Sequence, residues 1–168
     1  LLAGYYDSGS RYDSAVMRLL SDGQLDTSFA TTGKLPLVLA GSLSSVTDIA
    51  LHTSGSILLS GGAFGADWTA ALCRLASNGT LDTSFDADGQ LSQSFGTLDD
   101  FFYRVRIDST GRILGVGVTK TGNSPVTALI ARYRSNGAID TSFRTVGSTT
   151  LTDSAASAVI LQGNQILI

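Results

Sequence analysis

A single cysteine, Cys73, leaves this sequence no internal disulfide, and a single histidine, His52, excludes a multi-histidine metal centre. Basic residues are few as well. Eleven Lys and Arg are scattered among fourteen acidic residues, and the net charge is −3. No basic stripe exists to follow a phosphate backbone, which argues against nucleic acid as a partner. No apolar run approaches the roughly 20 residues of a membrane-spanning helix. The opening "LLAGYYDSGS" lacks the basic start and long apolar centre of a secretory leader, and reads as the inside of a structured segment. Only two prolines occur, and charged residues make up 15% against 43% hydrophobic, a balance that excludes intrinsic disorder.

What is abundant is glycine, 19 residues of it, with Ser and Thr crowded between short apolar runs. That composition suits a β-rich chain with many tight turns. Self-comparison is more telling. Asp26, Asp82 and Asp140 are separated by 56 and 58 residues, and Arg18, Arg74 and Arg132 keep the same spacing. The glycines Gly23, Gly79 and Gly137, and Gly33, Gly89 and Gly147, do so too. Aligned, the unit reads R-[LY]-x-S-[DN]-G-x-[LI]-D-T-S-F-x-x-x-G, a repeat architecture.

Each unit reads as four strands. In the middle unit they are expected near 46–51, 57–62, 69–75 and 90–95. "TSGS" at 53–56 and "STGR" at 109–112 read as hairpin turns between the first two strands. "SDGQ", "SNGT" and "SNGA" carry the Asp-Gly or Asn-Gly pair that tolerates positive φ. No segment combines helical periodicity with a cap. "AVMRL", "ALCRL" and "LIARY" are apolar on both alternating faces, so the sheet is covered on both sides. An all-β fold of β-propeller blades follows, as three four-stranded repeats of about 56 residues. The coils of a parallel β-helix, the main rival, are much shorter. The units are expected at about 1–43, 44–99 and 100–155, with 156–168 starting another blade.

The D-T-S-F core and the [DN]-G turn before it resemble the delta-60 repeat family, whose bacterial repeats look like propeller blades and occur in multiple copies. The resemblance covers nearly the whole chain. The third copy departs from it with Ile139 for Leu and "RTVGS" where the second has "DADGQ". The resemblance implies an extracellular or cell-surface bacterial scaffold and supplies no catalytic residues. Three blades cannot close a ring of the usual four to eight. Closure is therefore expected from further repeats of the same array or from a second copy of the chain, since an unpaired end strand invites aggregation.

Most candidate residues have a structural reading. Asp26, Asp82 and Asp140 are expected to accept local backbone N–H bonds and set a turn, with Phe29, Phe85 and Phe143 plugging a gap between blades. A repeated ligand carboxylate is the alternative. Arg18, Arg74 and Arg132 lie on apolar strands, where an unpaired charge is costly, so an ion pair with the recurring Asp is expected; surface anion binding is the sharper alternative. Asp86 and Asp88 in "DADGQ" resemble the start of a calcium loop but lack its remaining ligands; Asp99 and Asp100 lie further along. His52 reads as an exposed loop residue, and Cys73, in register with Met17 and Ala131, as core.

The residues that do not repeat are the better candidates for a binding surface. Trp68 is expected on a loop near Phe64 and Asp67, able to stack on sugar or a protein partner. Tyr5, Tyr6 and Tyr12 form a similar loop-side group. The functional expectation is a non-enzymatic scaffold that binds protein or glycan through its loops and needs no cofactor. Part of a propeller hydrolase or lyase acting on carbohydrate is the alternative.

Overall fold

The computed structural model describes residues 1–7, 12–37, 44–152, 154–162 and 165–167. Its strands form consecutive antiparallel meanders. The first sheet holds β1 (Leu2–Asp7), β2 (Tyr12–Met17) and β3 (Lys34–Leu37). The second holds β4 (Ser44–Leu51), β5 (Ile57–Phe64), β6 (Trp68–Leu75) and β7 (Gln90–Gln93). The third repeats it with β8 (Asp100–Ile107), β9 (Ile113–Thr119), β10 (Thr127–Tyr133) and β11 (Ser148–Leu151). A last hairpin pairs β12 (Ile160–Gln162) with β13 (Gln165–Leu167). No helix occurs among the described residues.

The turn signals become turns where the sequence places them. Gly55 and Gly111 sit at φ +86° and +82° in the hairpins joining the first two strands of their sheets. β5 and β6 extend past their expected ends to Phe64 and Trp68, which pair with each other. β7 instead stops early. The buried Asp100 carboxylate accepts the Phe95 and Gly96 N–H groups and turns the chain there.

Alternate residues of one strand feed two cores. Ile57 and Leu59 of β5, with Ala71 and Cys73 of β6, pack against Val16, Phe29 and Leu37 of the first sheet. Leu58 and Leu72, from the same strands, pack with Phe102, Val105, Leu129 and Tyr133 of the third. A third core joins Leu114, Val116 and Ile130 to Ala156 and Val159, just before β12. The apolar character on both faces of the central strands is thus explained by a neighbour on each side.

The first strands of the two four-stranded sheets are bulged, with the register shifting between Val46 and Asp48 and again between Phe102 and Arg104. The bulges join sheet to sheet. Thr47 Oγ1 donates to the Phe102 carbonyl at 2.7 Å, while Asp48 Oδ2 accepts the Val105 N–H at 3.0 Å and Arg106 Nη1 at 2.7 Å. They also press on the second strand. A Cβ on Gly61 would lie 1.7 Å from the Ser45 carbonyl oxygen, and one on Gly117 would lie 1.9 Å from that of Phe101.

Candidate functional site

The repeated residues assemble into one construction at the end of each third strand. Arg74 Nε donates to Asp82 Oδ2 at 2.8 Å, its Nη2 to Ser84 Oγ at 2.8 Å, and its guanidinium carbon stands 5.0 Å over the Phe85 ring. Its remaining amino group, Nη1, crosses to the next sheet and donates to the Ser135 carbonyl. Arg18 makes the same set with Asp26, Ser28, Phe29 and the Ser77 carbonyl. The ion pair is therefore within a unit, and the carbonyl bond is between units. In Arg18 and Arg74 all three guanidinium nitrogens are engaged in structure, which leaves little for an anion.

The loop after each Phe is left-handed at two residues that are not glycine, Ala30 and Thr31 at +48° and +62°, then Asp86 and Ala87 at +46° and +66°. Such φ values cost on the order of 1 kcal/mol each. A bond to the next unit offsets that strain. The Ala30 N–H donates to the Asn78 carbonyl at 2.8 Å, and the Asp86 N–H to that of Asn136 at 2.9 Å. The fully buried Phe29 ring lies beneath the following turn, where a Cβ on Gly79 would come 2.9 Å from its Cε2. The Asn-Gly turn thus needs its glycine twice, for φ +92° and for the neighbour's ring.

Within the motif, Asp82 Oδ1 accepts both the hydroxyl and the N–H of Ser84, at 2.6 and 3.1 Å. The Ser84 hydroxyl is the largest influence on the Asp82 carboxyl and lowers its pKa; burial opposes it, and the Ser84 N–H and Arg74 lower it further. Asp26 and Asp140 are held low in the same way by Ser28 and Ser142. At Asp108 burial pushes upward, but Thr110 and Arg112 outweigh it and bring the value to about 2. A carboxylate with a depressed folded pKa stabilises fully above its unfolded value and loses that contribution as pH falls through the folded one. Stability is therefore expected to hold down to the ordinary value of 3.8 and then fall away toward pH 2. Asp82→Ala is expected to cost about 2 kcal/mol in a urea titration at neutral pH and to flatten part of that acid slope. Unchanged stability would show the pairing to be idle.

A different set of residues gathers at the other end of the strands. Trp68 packs 5.1 Å from Phe64 and 5.3 Å, edge-on, from Phe101 of the next sheet; Phe101 in turn lies 5.4 Å from Tyr103. Gly62 makes the seat, since a Cβ there would meet Phe101 Cε2 at 2.3 Å and Trp68 Cε3 at 2.8 Å. The Trp68 N–H donates to Asp99 Oδ1 at 3.1 Å. Trp68, Asp99, Phe101, Tyr103, Lys120 and Val126 line an open groove of about 390 Å³. It carries aromatic surface with one acidic and one basic group at its rim.

The placement of several residues differs from expectation. Trp68 opens strand β6 rather than lying on a loop, because the hairpin before it is only Gly65–Asp67. Tyr5 and Tyr6 belong to β1, where Tyr5 is 72% exposed and Tyr6 40%; Tyr12 opens β2, and its side chain lies outside the described residues. Their place on a strand was obscured by the turn-like "DSGS" that follows Tyr6 directly. His52 is half-buried, its Nδ1 accepting the Ser54 N–H at 3.1 Å. Cys73 is fully buried, and burial, helped by Asp88, pushes its thiol to about 12, which leaves it unreactive. Asp86 and Asp88 are exposed, and Asp88 Oδ1 accepts the Gln90 N–H; Asp99 and Asp100 lie beyond the far end of β7. Among the described residues no group of three or more His, Cys, Asp or Glu comes together.

Sequence reasoning missed Phe101, Tyr103 and Lys120. The signal was present. The run "DFFYRV" sets aromatics at Phe101 and Tyr103 where the preceding unit has Ser45 and Thr47, so these residues too depart from the repeat.

No curated protein matches the chain. A family model does, described as a β-propeller domain of unknown function, DUF5122, and it matches residues 1–29, 53–85 and 109–143. The three matched segments cover over half of the sequence, and each ends on the Phe of the Arg–Asp–Phe construction. With its repeated antiparallel sheets packed face to face, this chain belongs to the DUF5122 β-propeller family.

Proposed function

We propose that this chain is a non-enzymatic interaction scaffold, a bacterial extracellular or cell-surface propeller module of the delta-60 repeat type. It binds protein or glycan through the groove between Trp68 and Phe101. Its blades belong to a ring completed by further repeats or by a second copy. The observation that carries this reading is a division of labour between the two ends of the strands. At one end the repeated Arg, Asp and Ser side chains are engaged with one another, and Arg18 and Arg74 also reach the next unit. At the other, aromatic residues that do not repeat converge from two sheets on one groove. Stacking surface with a few polar groups at its edge suits a sugar ring or an apolar side chain. The carboxylates are spread over both ends of β7, whereas a hydrolase or lyase needs them convergent.

The test is a screen of immobilised oligosaccharides and bacterial envelope proteins, with Trp68 fluorescence as the solution readout. Trp68→Ala is expected to weaken any bound ligand about tenfold or more while the melting transition stays cooperative. A ligand bound equally well by the variant would place recognition elsewhere and overturn the groove.

A further inference from the structure

We propose a second binding site, for a single neutral sugar ring, in a cavity between the second and third sheets at the Arg–Asp–Phe end of the strands. It is independent of the aromatic groove, which lies at the opposite end of β6. The cavity measures about 260 Å³. Its floor is apolar, made by the buried Leu58 and Ile113 with the half-buried Ile107. Its rim is hydroxylic, carrying the exposed Ser54, Ser84 and Ser135, with Ser56 half-buried.

Two positions that depart from the neighbouring unit open this space. Residues 52–56 link β4 to β5 as residues 108–112 link β8 to β9. Both hairpins close through the same backbone bond, from the His52 N–H to the Ser56 carbonyl and from the Asp108 N–H to the Arg112 carbonyl, each at 2.9 Å. In the third unit Asp108 Oδ1 accepts the Thr110 N–H at 2.8 Å, and its Oδ2 holds Arg112 Nε at 2.7 Å. That ion pair stands beside Leu114 and Arg132, the counterparts of Leu58 and Arg74. In the second unit His52 Nδ1 takes over the first bond, accepting the Ser54 N–H at 3.1 Å. The second bond has no counterpart, because Ser56 ends at a hydroxyl where Arg112 extends a guanidinium. Histidine and serine thus keep the turn and give up the ion pair.

The chemistry of the wall selects the guest. Since Nδ1 accepts a backbone N–H, the ring proton sits on Nε2, which stands 3.5 Å from the Cβ position of Gly111 on the facing hairpin. An anion finds no free cation, for all three Arg74 nitrogens are engaged and the Asp82 carboxylate lies beside them. A cation fares no better, because that carboxylate is already bonded to Arg74 and to Ser84. What is left is an imidazole donor, hydroxyls that both donate and accept, and an apolar floor. A pyranose ring matches each of these, with hydroxyls around its edge and C–H groups on its face. The volume lies just under the usual range for drug-sized ligands, which limits the guest to one ring.

Titration of isotope-labelled protein with the methyl glycosides of glucose, galactose and mannose, followed by amide chemical shifts, tests this. At least one is expected to bind with a Kd of about 1 mM or tighter and to move the amides of His52, Gly55, Gly111 and Ser135. Transplanting the third unit's pair, as His52→Asp with Ser56→Arg, should keep the hairpin, fill the cavity and abolish binding. His52→Ala, which removes the Nε2 donor alone, should weaken binding about tenfold. A sugar lost from the doubly substituted protein but kept by Trp68→Ala belongs to the cavity. The reverse pattern belongs to the groove and would overturn this site. So would the absence of saturable shifts with all three glycosides, unchanged affinity in His52→Ala, or sulfate moving the same amides more strongly than any sugar.

Discussion

Phe85→Ala is expected to cost about 3–5 kcal/mol, the range for emptying a fully buried aromatic site. The Phe85 ring is sealed from both sides. Arg74 covers it from its own unit, and the Asn136–Gly137 turn closes over it from the next, with Gly137 leaving 3.2 Å between its Cβ position and Cε2. Truncation would leave a cavity between two sheets, and neither can relax into it without breaking the Arg74 bond to the Ser135 carbonyl. Phe143→Ala should cost well under half as much, because that ring is only half-buried. Urea denaturation of both variants measures the difference. Equal losses would mean that the turn of the following unit contributes nothing to the burial of this ring.

Gly61→Val is expected to be the most damaging single change in the second sheet, with a loss of about 4 kcal/mol or more. The Cβ would fall 1.7 Å from the Ser45 carbonyl oxygen and 3.2 Å from Val46 Cα, so backbone rather than a flexible side chain must move. Moving β4 would also pull Thr47 and Asp48 from their bonds to the third sheet. The same substitution at Gly4, whose Cβ position has nothing within 4 Å, should leave stability within about 0.5 kcal/mol, as for an ordinary surface change. Thermal unfolding followed by circular dichroism compares the two directly. A well-folded Gly61→Val protein would show that the bulge does not demand glycine.

Much of this fold was legible because its signals are local. An Asn-Gly pair announces a turn wherever it stands, and an apolar strand such as "ALCRL" must be covered on both faces, whatever covers it. The candidate site was legible only by subtraction. Trp68 stood out because no other unit has a tryptophan, but its partner Phe101 lies on another sheet, and no period within one strand could join them. Strand limits erred at Trp68 and Tyr5 for a related reason. Aromatic residues beside a Gly-rich hairpin read equally well as the end of a strand or the start of a loop.

The sequence by itself determined the repeat, the all-β class, the turn positions and the structural character of Asp82, Arg74 and Phe85, since each follows from backbone preference or from the cost of burying an unpaired charge. Only the tertiary structure decided which unit each partner comes from. The guanidinium pairs with its own unit's Asp and reaches the next unit's carbonyl, because sheets packed face to face bring the end of one third strand against the turn of its neighbour. It also decided the purpose of Gly61 and Gly117, whose necessity arises from a bulge on an adjacent strand. Distances between sheets depend on how whole surfaces interlock, and no property of a single strand encodes them.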